Sequence, residues 1–136
     1  VHRLSIPKGL IKNGITPDIK IEYDEYLLDI VLENLVNNAY KFRRDNSEEQ
    51  FIKISISRLN DGFEIIISNN GQIIPDDLQT KIFDIFTVAN DQYDGAGLGL
   101  YEAKVIMSKM EGNVKLLKSD LESTDFSIFL GDINKV

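Results

Sequence analysis

Three asparagines fall within five residues of the run Glu33-Asn34-Leu35-Val36-Asn37-Asn38-Ala39-Tyr40-Lys41-Phe42. Asparagine disfavours a helix interior by roughly 0.5–0.7 kcal/mol relative to alanine, so a helix that carries three has a reason to. Asn34, Asn38 and Lys41 stand at i, i+4 and i+7 and therefore share one helix face. Side-chain carbonyls aligned this way are hard oxygen donors suited to Mg²⁺, which keeps several waters and takes further ligands from phosphates. A solvated helix face with chance asparagines is the plainer reading of this segment alone.

A second candidate is Gly95-Ala96-Gly97-Leu98-Gly99-Leu100, which opens a helical pattern. Glycines let a phosphate approach the backbone closely, and a helix N-terminus offers free N–H groups and a positive dipole end. The dinucleotide fingerprint needs a strand before such a loop. The segment from Thr87 to Asp94 is instead polar and flap-like, so that reading fails. Two further runs are Asn69-Asn70-Gly71-Gln72-Ile73-Ile74-Pro75, by itself a turn, and Ile82-Phe83-Asp84-Ile85-Phe86, by itself core.

The elements that must position these runs are readable from periodicity. Leu4 and Ile6 flank Ser5 in a short strand ended by Pro7-Lys8-Gly9, and Ile19 to Tyr23 forms a second. Asp24 caps a helix that reaches about Phe42, with Leu27, Val31 and Leu35 on its apolar face. Arg43 to Gln50 is a charged loop. Ile52, Ile54 and Ile56 alternate with polar residues, Asn60-Asp61-Gly62 turns, and Phe63, Ile65 and Ile67 return. Pro75-Asp76-Asp77 starts a helix that turns Leu78, Ile82 and Ile85 inward. Leu98 to Glu111 forms a third helix, stopped by Gly112, and Val114 to Ser119 with Asp125 to Leu130 closes the chain as a hairpin. The order β-β-α-β-β-α-α-β-β predicts an α+β sandwich, a mixed sheet with three helices on one face.

Composition narrows the chemistry. The 136 residues suit one domain spanning 1–136. The absence of cysteine excludes disulfides and thiolate metal sites, and a single histidine, His2, argues against zinc and histidine triads. A net charge of -7 makes nucleic acid a poor partner. No apolar run approaches the ~18 residues that span a bilayer.

Taken together and in this order, the four runs resemble the ATPase domain shared by histidine kinases, DNA gyrase, certain heat-shock chaperones and MutL-type repair proteins, histidine kinases most closely. The resemblance covers about Ile19 to Leu130. The asparagine run is similar to the family's N box, Gly95 to Leu100 to its Gly-x-Gly-Leu-Gly-Leu box, and Ile82 to Phe86 to its phenylalanine box. It implies a Bergerat-type two-layer α/β sandwich that binds Mg-ATP and transfers the γ-phosphoryl group to a histidine on a separate dimerisation domain.

By that resemblance Asn38 ligates Mg²⁺, Asn34 helps to organise metal and phosphate, and Lys41 meets the phosphates. Phe42 packs near the adenine, Asn69 and Gly71 belong to the first glycine box, and Ile74 lines the base pocket. Gly95, Gly97, Leu98, Gly99 and Leu100 cradle the phosphates beneath a lid running from Phe86 to Asp94. The implied partners are the histidine-bearing dimerisation domain and a response regulator. The domain itself is expected to be a cytoplasmic monomer without membrane contact, in a parent that can be membrane-anchored.

Two positions depart from the family pattern. Asn69 stands where the family has an adenine-binding Asp, and Ile73 replaces the second glycine of that box. The lid segment carries Asp91 and Asp94 and no basic residue. These departures leave open a pseudokinase that binds a partner without turnover. An anti-sigma-factor serine kinase is disfavoured because its base, a Glu four residues before the metal Asn, falls here on Asn34, with Glu33 one residue off.

Overall fold

A computed structural model of the chain describes residues 11–14, 24–44, 49–84 and 98–131. The strands read at Leu4–Ile6 and at 19–23 lie outside these residues, as does the lid. Among the described residues eight elements follow in order: β1 (Ile11–Gly14), α1 (Glu25–Lys41), β2 (Ile52–Leu59), β3 (Gly62–Asn69), α2 (Asp76–Gln79), α3 (Leu98–Lys109), β4 (Asn113–Ser119) and β5 (Thr124–Gly131). The strands form one sheet in the order β1-β2-β3-β5-β4. β1 runs parallel to β2, and every other pairing is antiparallel, so the sheet is mixed as expected.

Helix α1 begins where a side chain replaces the missing helical partners of its first N–H groups. Asp24 Oδ1 accepts from the N–H of Tyr26 at 3.0 Å and of Leu27 at 3.2 Å. Val31, Leu35 and Ala39 follow at helical spacing and are buried. Lys41 in the last turn complements the negative end of the helix dipole. The buried stripe meets Leu100, Ala103, Ile106 and Met107 of α3 and the inward row Ile65, Ile67, Phe126, Ile128 and Leu130 of the two central strands in one core. Each fully buried side chain of this kind contributes about 1.5–3 kcal/mol, which fixes the two long helices on the sheet.

Two local readings need correction. The helix expected from Pro75 through Ile85 closes after Gln79. The chain continues through i→i+3 bonds, Lys81 N–H to Leu78 O and Asp84 N–H to Lys81 O, both 2.9 Å. Ile82 nevertheless reaches the core and Leu78 packs against it, while Ile85 lies outside the described residues. At the end of α3 the left-handed residue is Glu111, with φ 57°, rather than Gly112. Glu111 N–H donates to Ser108 O at 3.2 Å and Gly112 N–H to Met107 O at 2.8 Å, the paired bonds of a Schellman stop. Gly112 is required for a different reason: a Cβ there would lie 2.4 Å from Phe129 O and 2.6 Å from Met107 Cε.

Candidate functional site

The asparagine face of α1 and the glycine-led start of α3 are brought together. A Cβ built on Gly99 would stand 3.9 Å from Asn34 Cβ and Cγ and 4.0 Å from Asn34 Oδ1, ordinary contact distance. Leu100, one residue on, is buried in the shared core, while Leu98 opens the helix. Asn38, one turn after Asn34, is buried, and its carbonyl accepts from Phe42 N–H at 3.2 Å. Lys41 is exposed on the last turn, and Phe42 caps it with non-helical torsions. Phe86, Gly95 and Gly97 lie outside the described residues.

The loop after β3 is fastened to the end of that helix. Gln72 N–H donates to Phe42 O at 2.7 Å. Gly71 backs onto the same carbonyl so closely that a Cβ would sit 2.5 Å from Phe42 O and 2.7 Å from Asn69 Oδ1. No larger residue fits there without moving backbone. Asn69 is buried, with both ends of its amide engaged. Its Oδ1 accepts from Gly71 N–H at 2.9 Å, and its Nδ2 donates to Thr124 O at 3.4 Å. Because one partner is a donor and the other an acceptor, the amide has only one workable orientation.

Sequence reasoning missed the hydroxyls that extend this network. Ile74 N–H donates to Ser119 Oγ at 2.8 Å, and that oxygen lies 2.7 Å from Thr124 Oγ1. The two hydroxyl residues face each other across the closing hairpin, with no motif to flag them. The hairpin's turn is braced by Asp120, whose carboxylate accepts from the N–H groups of Ser123 and Glu122. Those two bonds hold it below the usual carboxylate range. Ile73, the residue replacing the family's second glycine, is 42 % exposed.

Phe83 of the phenylalanine run packs edge-on against Phe126, ring centres 6.0 Å apart, a core role. A groove of about 590 Å³ runs along the other side of α3, lined by Phe83, Tyr101, Lys104 and Val105 among others. It is not bordered by Asn34, Asn38 or Asn69.

The donor set fits an anion with its counter-cation better than a protein-caged metal. Among the described residues no group of three or more His, Cys, Asp or Glu gathers to hold a metal ion. Asn34 Nδ2 is buried without a hydrogen-bond partner. An orphan donor of this kind costs about 1–3 kcal/mol and is satisfied by an acceptor such as a phosphate oxygen. The neighbouring asparagine supplies an amide oxygen of the kind Mg²⁺ accepts when phosphates and water complete its shell.

Comparison with known proteins identifies the family and the fold. Residues 23–132 match the family described as histidine kinase-, DNA gyrase B- and HSP90-like ATPase. A probable C4-dicarboxylate sensor kinase of Bacillus subtilis (strain 168) is 34 % identical over 129 residues, 93 % of this chain and 24 % of the relative. The chain spans between about a tenth and just over a quarter of the length of the curated relatives it matches. Among solved structures, the nucleotide-free catalytic domain of histidine kinase ThkA superposes with a TM-score of 0.73 at 26 % identity. That match covers 91 % of this chain and 82 % of that one. Full-length ShkA in complex with AMPPNP gives 0.74 at 25 % identity, covering 90 % of this chain and 26 % of that one.

Proposed function

The chain belongs to the histidine kinase-, DNA gyrase B- and HSP90-like ATPase family, and on that footing we propose that it is the catalytic domain of a two-component sensor histidine kinase, binding Mg-ATP and phosphorylating a histidine on a separate dimerisation domain. The observation that carries the reading is the approach of Gly99 to Asn34, which joins an asparagine helix face to a glycine-led helix start. A triphosphate at that junction meets N–H groups at the start of α3, the Asn34 amide donor and the Lys41 ammonium. Asn38 is the residue that would hold Mg²⁺, whose charge offsets that of the phosphate oxygens when it is bound.

In the transfer, the γ-phosphorus–oxygen bond breaks, ADP keeps the electron pair, and a phosphorus–nitrogen bond forms at the acceptor imidazole. Residues of this domain position and stabilise and need not act as a nucleophile. A response regulator would then receive the phosphoryl group. The domain would work in the cytoplasm, where ATP is available, and no helix among the described residues is long and apolar enough to cross a membrane.

Calorimetry and radiolabelled ATP test the reading. The chain should bind ATP only with Mg²⁺, and Asn38→Ala should weaken that binding at least about tenfold while leaving the fold intact. Label should reach a histidine-bearing helical hairpin supplied in trans and should not accumulate on this chain alone. Equal Mg-ATP affinity in Asn38→Ala, or stable self-labelling, would overturn it.

A further inference from the structure

Consecutive residues from the end of β3 onward reach in different directions. Asn69 turns to β5, and Gly71 and Gln72 turn to the end of α1. Asn70, between them, takes a third path. Its Oδ1 accepts from Phe51 N–H at 2.9 Å, and its Nδ2 donates to Glu49 O. Both partners belong to the connection that leads from α1 into β2. That connection is also tied to itself, since Gln50 Nε2 donates to Arg44 O at 2.5 Å. Arg43 closes its near end, donating from Nη1 to Tyr40 O at 2.8 Å with its guanidinium 4.0 Å over the Tyr40 ring. The loop at 70–72 therefore grips the connection at both ends: Gln72 on Phe42, and Asn70 on Glu49 and Phe51.

We propose that Asn70 is a positioning residue that sets where the last turn of α1 presents Lys41 and Phe42. The proposal rests on the nucleotide-site reading above. Asn70 acts through the connection and the Gln72–Phe42 bond, without touching the nucleotide. One amide spans an N–H and a C=O two residues apart, which holds the backbone between them at the cost of ordering a single short side chain. The bonds lie near the surface, where water can replace them. Their loss therefore falls on the order of the connection and of Phe42 rather than on the core.

The test compares Asn70→Ala and Asn70→Asp with the parent chain by calorimetry with Mg-ATP at a temperature where all are folded. Asn70→Ala should bind about tenfold more weakly, because the connection and Phe42 must then be ordered as the nucleotide binds. Asn70→Asp keeps size and the acceptor for Phe51 N–H but turns a carboxylate oxygen toward Glu49 C=O. It should bind at least as weakly, although it leaves no cavity. In ¹H–¹⁵N spectra the amide signals of Lys41 and Phe42 should move, while those of Ala103 and Met107 stay. A purely structural Asn70 would lower the melting temperature and leave the affinity alone. Parent-like affinity in both variants, or in Asn70→Asp if the alanine variant does not fold, overturns the proposal. Absence of Mg-ATP binding by the parent chain itself overturns the nucleotide-site reading instead.

Discussion

Gly99 faces Asn34 across the α1–α3 contact with room for a methyl group, its built Cβ lying 3.9 Å from Asn34 Cβ and Cγ. Gly99→Ala should therefore fold and gain about 0.5–1 kcal/mol in urea unfolding, since alanine is the better helix former. Mg-ATP affinity should fall severalfold, because the methyl takes space beside the orphan amide of Asn34. Gly99→Leu should cost about 1–3 kcal/mol by driving the helices apart. Unchanged affinity in the alanine variant would remove the phosphates from this junction.

Asn69→Asp sets two demands against each other. Asn69 Nδ2 donates to Thr124 O, and a carboxylate oxygen there would face that carbonyl unfavourably. The ligand-free protein should lose about 1 kcal/mol at neutral pH. The same carboxylate can only accept hydrogen bonds, so it should tighten ATP and sharpen its preference over GTP, the base whose oxygen repels it. Thermal shifts without nucleotide and with each of the two separate these effects. A variant that loses stability with no change in the ATP-to-GTP ratio would show that Asn69 serves only to join β3 to β5.

Glu111→Gly should stabilise the fold. Glu111 holds a left-handed conformation, φ 57°, that costs a side chain about 1 kcal/mol and glycine almost nothing. Part of that gain is offset by the freer unfolded chain, leaving about 0.5 kcal/mol in denaturant melts. Gly112→Ala should instead destabilise strongly, because its Cβ meets Phe129 O. Reversed signs for the two would mean that Gly112, not Glu111, carries the turn.

What the sequence disclosed follows the range of the interactions. Helix α1, its Asp24 cap and the strand pair Ile52–Leu59 and Gly62–Asn69 repeat at 3.6 or 2 residues, and each was readable locally. β1 was not. Ile11-Lys12-Asn13-Gly14 has no alternation, and only its parallel register on Ile52–Ser55 makes it a strand. α2 stops at Gln79, short of the expected Ile85, because Pro75 and the two aspartates mark a start and say nothing of a stop. In the site, Asn34 and Gly99 stood out by residue type and spacing. Thr124, Ser119 and Asn70 did not, because their bonds to Asn69, Ile74 and Phe51 span 55, 45 and 19 residues.

The strand order β1-β2-β3-β5-β4 bears on the order of assembly during synthesis. Asn69 is paired with Thr124 across the two central strands, so the wall behind the first glycine box is made of segments far apart in the chain. α1 and the β2–β3 hairpin are local and can form while the rest is still being made, whereas the β3 edge stays open until β5 arrives. A nascent domain halted before Thr124 thus carries its asparagine helix but lacks the partner of Asn69, which arrives only when the last described strand takes its place between β3 and β4.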